Sequence, residues 1–167
     1  MSDPLIFDTS VWVDFLRNKS NSASDLLTSY IEKNDQVLLT PTILQEVLQG
    51  IRDDAQYQHI KEILSYFTTL QHPPIQAAVG AAELYRSLRK KGVTIRKSNI
   101  SLIAFYAIEF SITLVHSDND FDLISKHTKL MTWKPRSRPY SNSEIQKPRL
   151  FSLGFSLVGT TRFENNL

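Results

Sequence analysis

The chain has 167 residues, 41% of them hydrophobic, which suits one globular domain with a real core. It has no cysteine, which excludes a disulfide framework, a thiolate metal site and a thiol nucleophile, and agrees with a reducing cytoplasm. The formal charge of +2 hides a split: residues 1–133 carry 13 Lys and Arg against 15 Asp and Glu, whereas 134–167 carry 6 against 2. A mildly acidic body gives no global sign of nucleic-acid binding, so any such function has to rest on local patches. The start lacks the pattern of a secretion signal, and no stretch reaches the roughly 18 apolar residues of a membrane span, so a soluble protein is expected.

In chain order, "LIF" at 5–7 reads as a short buried strand that stops on a carboxylate, Asp8, with Thr9 and Ser10 as helix-start residues before "VWVDFLR". A second helix is expected over 24–32, where Leu26, Leu27 and Ile31 recur at helical spacing. "QVLLT" at 36–40 reads as a second buried strand. Thr40 and Pro41 supply cap and first-turn signals for "TILQEVLQ", and Gly50 a stop. A helix follows from about 54 to 67, and "HPP" at 72–74 breaks the chain. The stretch 75–91 predicts a long amphipathic helix with cations in its last turn, where the helix dipole favours them. "NISLIAFYAIEF" at 99–110 is apolar around almost its whole circumference, as an enclosed helix would be. "ITLVHSD" at 112–118 is a third strand ending on a carboxylate, and "FDLISKH" a short helix.

Alternating strands and helices imply a three-layer α/β arrangement with a parallel sheet over 1–133. The character changes after Trp133: "KPRSRPYSNSEIQKPR" holds three of the seven prolines and no apolar periodicity, so 134–167 reads as a loosely attached C-terminal extension. Within it, "LFSLGFSLV" could form a strand or dock on the core.

In parallel α/β sheets, residues just past the carboxyl ends of the strands converge on one crevice. Asp8 and Asp118 occupy such places, Asp120 follows two residues later, and Glu46 lies in the helix after the second strand. Carboxylates packed together repel unless a cation compensates them. Oxygen ligands without Cys or a His pair favour Mg2+ or Mn2+ over zinc, and such a centre suits phosphodiester hydrolysis. Plainer readings stand beside this one. Asp8 can be a helix N-cap, Asp118, Asp120 and Asp122 a turn and cap, and Glu46 falls roughly 130° from the apolar arc of its helix, a solvated position by periodicity.

Five stretches, "LIFDTSVWVDFLR", "LLTPTILQEVLQG", "AAELYRSLRKKGVTIRKSN", "LIAFYAIE" and "LVHSDNDFDLIS", resemble in order and spacing the PIN-domain proteins, and most of all the VapC ribonuclease toxins of type II toxin–antitoxin modules. The resemblance covers about residues 4 to 132. It implies a PIN-like three-layer sandwich and a Mg2+- or Mn2+-dependent endoribonuclease acting on structured RNA such as transfer RNA. It further implies a cognate VapB-like antitoxin that fills the active-site groove, and a homodimer. Carried over by position, the catalytic and metal-holding acids are Asp8, Glu46, Asp118 and Asp120.

One position departs. The family pattern resembles "RKSxDxLIA", and this chain reads "RKSNISLIA", so Ile100 stands where an acid belongs. Successive helical side chains diverge by about 100°, so Asn99 is not expected to take over. The loss weakens the charge that holds a metal and removes an anion from a helix N-terminus. Ile100 in turn shares a face with Ala104 and Ala107 and extends the buried surface, a trade of function for stability. Weak or absent cleavage is therefore expected, with a catalytically silent fold that binds antitoxin or RNA as the alternative and a DNA nuclease as a more distant one.

Arg86, Arg89, Lys90, Lys91, Arg96 and Lys97 cluster before the enclosed helix. Of these Arg89, Lys91, Arg96 and Lys97 are the candidate RNA contacts, to phosphates and without sequence choice, against the plain alternative of a solvated face. His116 is expected to be a packed, hydrogen-bonded residue, and Trp12 and Trp133 core or interface aromatics.

Overall fold

The structure, a computed structural model, describes residues 2–135. The order of elements is β1 (Leu5–Phe7), α1 (Thr9–Leu16), α2 (Ser22–Glu32), β2 (Val37–Leu39), α3 (Pro41–Gln49), α4 (Asp54–Ser65), β3 (Thr68–Thr69), α5 (Pro74–Lys90), α6 (Ser98–Glu109), β4 (Thr113–Val115) and α7 (Asn119–His127).

Local chemistry sets most of these boundaries. Asp8, Thr40, Asp53 and Asp118 each accept a backbone N–H at the start of α1, α3, α4 and α7, and Asn21 with Ser24 forms a reciprocal capping box at α2. Asn18 and Asn34 sit at φ 54° and 55°, the left-handed geometry that closes a helix, just after α1 and α2. Helices α5 and α6 start without a side-chain cap.

The four strands form one parallel sheet in the order β3-β2-β1-β4, with Leu5 opposite Val37 on one side and Thr113 on the other. Successive strand side chains point to opposite faces, yet all three residues of β1 and of β2 are buried, so helices cover both faces. This is the expected three-layer α/β sandwich. The chain steps outward from β1 through β2 to β3 and then returns to lay β4 against the free edge of β1. The direction of winding therefore reverses between β1 and β4, where such sheets open a crevice beyond their carboxyl ends. A parallel bridge between Leu114 and Thr132, with Leu114 N donating to Met131 O and Trp133 N to Leu114 O, extends the sheet past β4.

The core runs from Ile6, Phe7, Leu38 and Leu39 through Leu114 and Val115 to Trp12 and Phe121, and Trp133 packs against its edge. Helix α6 is enclosed as its composition predicts: Ile100, Ser101, Ile103, Ala104, Tyr106 and Ala107 are all buried. Two expectations need correcting. Helix α4 stops at Ser65, and the β-branched pair Thr68 and Thr69 forms β3 against Leu38 and Leu39. The last strand covers only Thr113–Val115, so His116, Ser117 and Asp118 form an irregular connection beyond the sheet. The expected extension over 134–167, including "LFSLGFSLV", lies outside the described residues except for Lys134 and Pro135.

Candidate active site

The reversal point between β1 and β4 holds a pocket of about 250 Å³ whose wall includes Asp8, Glu46 and Asp118. Asp8 arrives as the first residue after β1, Glu46 from the second turn of α3, and Asp118 from the connection after β4. The N-terminal tip of α6 completes the wall with Lys97, Asn99, Ile100 and Ile103. Three remote segments thus bring carboxylates into one crevice.

The plainer readings of these residues hold at the same time. Asp8 caps α1, its Oδ2 accepting from Ser10 N at 3.1 Å and Ser10 Oγ at 2.7 Å. Asp118 caps α7, its Oδ1 accepting from Asp120 N at 2.9 Å. Capping fixes each carboxylate by one oxygen and leaves it in the pocket wall, so the two roles are compatible.

Glu46 is where periodicity misled. It is only 7% exposed, because partners from other elements enclose it: Thr9 Oγ1 donates to Oε2 at 2.5 Å and Asn99 Nδ2 donates to Oε1. Asn99 therefore does reach the pocket. Asn99, Ile103 and Ile100 fall within one arc of about 100° on α6, and with Lys97 at its N-cap they meet the same crevice. Ile100, 4% exposed, presents its branched side chain in the same wall.

Asp120 lies outside that wall. It is buried, and its Oδ2 accepts from Arg96 N at 3.2 Å, which ties the 94–97 segment to the start of α7. Of the four candidate cations, Lys97 lines the pocket, Arg96 and Arg89 are exposed, and Lys91 Nζ donates to His127 O at 2.9 Å. Arg17, at the end of α1, also lines the pocket, and no motif marked it. His116 is packed as expected, its ring 5.2 Å from that of Phe121, but the expected hydrogen bond is not formed: both ring nitrogens are buried without a hydrogen-bond partner among the described residues, Nε2 lying 3.7 Å from Asp122 Oδ1.

Burial pushes the Asp8 carboxyl up to about 6, against the hydrogen bonds from Ser10, and the neighbouring Glu46 charge raises it further. Chemically, hard carboxylate oxygens around one pocket are the donors a divalent cation prefers. In number they fall short: Ile100 is apolar, and among the described residues no three His, Asp or Glu side chains are grouped to hold an ion. As they stand, these residues do not fit a resident Mg2+ or Mn2+.

A buried parallel sheet whose reversal point carries acids from β1, α3 and β4 defines a class of chain, and comparison agrees: the PIN domain matches residues 5–127, and the chain belongs to that family. VapC ribonuclease Mb1587 of Mycobacterium bovis and Ribonuclease VapC11 of Mycobacterium tuberculosis are each 31% identical to it over 127 residues, 75% of this chain and 95% of theirs. Among solved structures, it is similar to VapBC2 from Rickettsia felis bound to a DNA fragment from its promoter, with a TM-score of 0.61 at 23% identity, covering 78% of this chain and 99% of that one. VapBC-1 from nontypeable Haemophilus influenzae gives 0.61 at 18% identity, covering 78% and 96%. Within the PIN family the chain is VapC-like. Among the described residues, no helix is long and apolar enough to cross a membrane.

Proposed function

We propose that this chain is a ribonuclease toxin of a toxin–antitoxin module in which cleavage is weak or absent. The observation that carries the reading is Ile100 in the wall of a pocket that otherwise keeps Asp8, Glu46 and Asp118. Mg2+ or Mn2+ is the cofactor this chemistry calls for, which would supply charge stabilisation at a phosphoryl group; these three acids are what remains of its site and, without an acid at position 100, do not fit it as they stand. Asp120 acts from behind the wall, by holding the Arg96 backbone.

The chain's own residues still shape a binding groove. Lys97 and Arg17 stand in the pocket wall, and exposed Arg96 and Arg89 add charge that phosphates of an RNA would neutralise. A VapB-like antitoxin is the protein partner supported by the likeness to two VapBC structures. A homodimer belongs to the same reading: Ile75 and Val79, one turn apart on α5 and 79% and 52% exposed, are an apolar surface for a second copy to cover.

The rival reading is a catalytically silent fold that binds antitoxin or RNA through the retained groove. It is favoured by the donors that already satisfy Glu46. RNA cleavage by the unaltered protein and by Ile100→Asp, each with Mg2+ or Mn2+ and with chelator, separates the two. The toxin reading expects weak or no cutting by the unaltered protein and a chelator-sensitive gain in Ile100→Asp. No cutting by either supports the silent fold, and strong chelator-sensitive cutting by the unaltered protein contradicts the proposed weakening.

A further inference from the structure

Glu46 poses a problem that the family reading leaves open. It is a buried carboxylate beside a second buried carboxylate, Asp8, and such a pair needs compensation. If the acid lost at position 100 has weakened cation binding, something else has to hold the pocket together. The structure supplies it from the residue next door: Asn99 Nδ2 donates to Glu46 Oε1 from the first turn of α6, 53 positions away in sequence. With Thr9 Oγ1 on Oε2, each oxygen of Glu46 has a protein donor.

We propose that Asn99 stands in for the cation. It is a positioning residue that satisfies Glu46 without metal, so that the pocket assembles metal-free. The amide nitrogen is a donor with no lone pair to offer a hard cation, so in its present orientation Asn99 supports Glu46 without adding a ligand. Metal dependence in this chain is then set by two neighbouring positions: Ile100, which removes a ligand, and Asn99, which gives Glu46 a partner in the metal's place. The inference rests on the reading of the pocket as a former metal site.

The test is thermal unfolding of the full chain in EDTA and in Mn2+, for the unaltered protein, Asn99→Asp, Asn99→Ala and Ile100→Asp. Asn99→Asp keeps the shape and turns the donor into an acceptor. It is expected to lose several degrees of Tm in EDTA and to recover most of the loss in Mn2+. Asn99→Ala, which adds no charge, is expected to lose less and to gain from Mn2+ as well, whereas the unaltered protein shows no Mn2+ gain. Equal Tm of Asn99→Asp and the unaltered protein in EDTA would overturn the proposal, as would a Mn2+ gain in the unaltered protein as large as in the variants. A Mn2+ gain in Ile100→Asp but in neither Asn99 variant marks a merely structural contact and also overturns it. Absence of any Mn2+ gain in all four proteins overturns the metal-site reading beneath it.

Discussion

The hydroxyl of Thr9 donates to Oε2 of Glu46 at 2.5 Å, joining the first residue of α1 to the middle of α3 inside the protein. Both residues are buried in the pocket wall, which limits the exchange of this bond for one with water. Thr9→Val keeps the shape and removes the donor. It is expected to destabilise the fold by about 1–3 kcal/mol, the usual cost of leaving a buried charged acceptor short of a partner. Urea unfolding in chelator checks this; a change below about 0.5 kcal/mol would show that Glu46 relaxes to another donor.

Asp8 gives the protein a pH dependence whose sign follows from its surroundings. Its folded-state pKa of about 6 lies above the ordinary 3.8, chiefly because burial disfavours the charge. The folded state therefore holds this proton more tightly than the unfolded chain. The stability Asp8 contributes is fully present below about pH 4 and is lost as pH rises through about 6, a change on the order of 2–3 kcal/mol. In chelator, Asp8→Asn, which keeps an N-cap acceptor, is expected to raise stability at pH 7.5 and to flatten the profile between pH 4 and 7. An unchanged slope in Asp8→Asn would assign the pH dependence to other groups.

Much of this fold is legible in the sequence. Capping residues and buried apolar runs locate β1, β2 and every helix to within about two residues, because those signals are local in sequence, whereas β4 ends three residues before the expected carboxylate. Asp8 and Asp118 are legible as a convergent pair because position at the carboxyl end of a parallel strand is a property of topology. Glu46 is not legible from its own helix. Its burial is imposed by Thr9 and Asn99, neighbours in space that helical periodicity does not contain. Asn99 escapes because its spacing of about 100° from Ile100 reads as two faces, whereas the pocket takes in the whole arc from Asn99 through Ile103 to Ile100. Arg17 carries no signal at all, since a lone cation at a helix end reads as solvated, and β3 is a two-residue strand too short for alternation to show.

The basic rim carries its own expectation. Lys97 lines the pocket, and Arg96 is held beside it through its backbone N–H to Asp120. Arg96→Gln with Lys97→Gln is expected to weaken RNA binding about equally for different sequences and to lower the slope of log affinity against log salt by about one for each phosphate left without its cation. Filter binding over a salt series measures both, and an unchanged slope would make these residues a solvated face. Asp120→Asn, which loosens the Arg96 anchor, is expected to weaken RNA binding without altering the salt slope.

On the proposed reading, Asp8, Glu46 and Asp118 are the remainder of a cation site that lacks an acid at position 100. This is checked by calorimetric titration of Mn2+ into the unaltered protein, Ile100→Asp and the double variant Ile100→Asp with Asp8→Asn. Binding at about one site per chain is expected in Ile100→Asp, at least about tenfold tighter than in the unaltered protein, a gain of about 1.4 kcal/mol, with loss of that binding in the double variant. No heat in Ile100→Asp, or heat undiminished by Asp8→Asn, would contradict it.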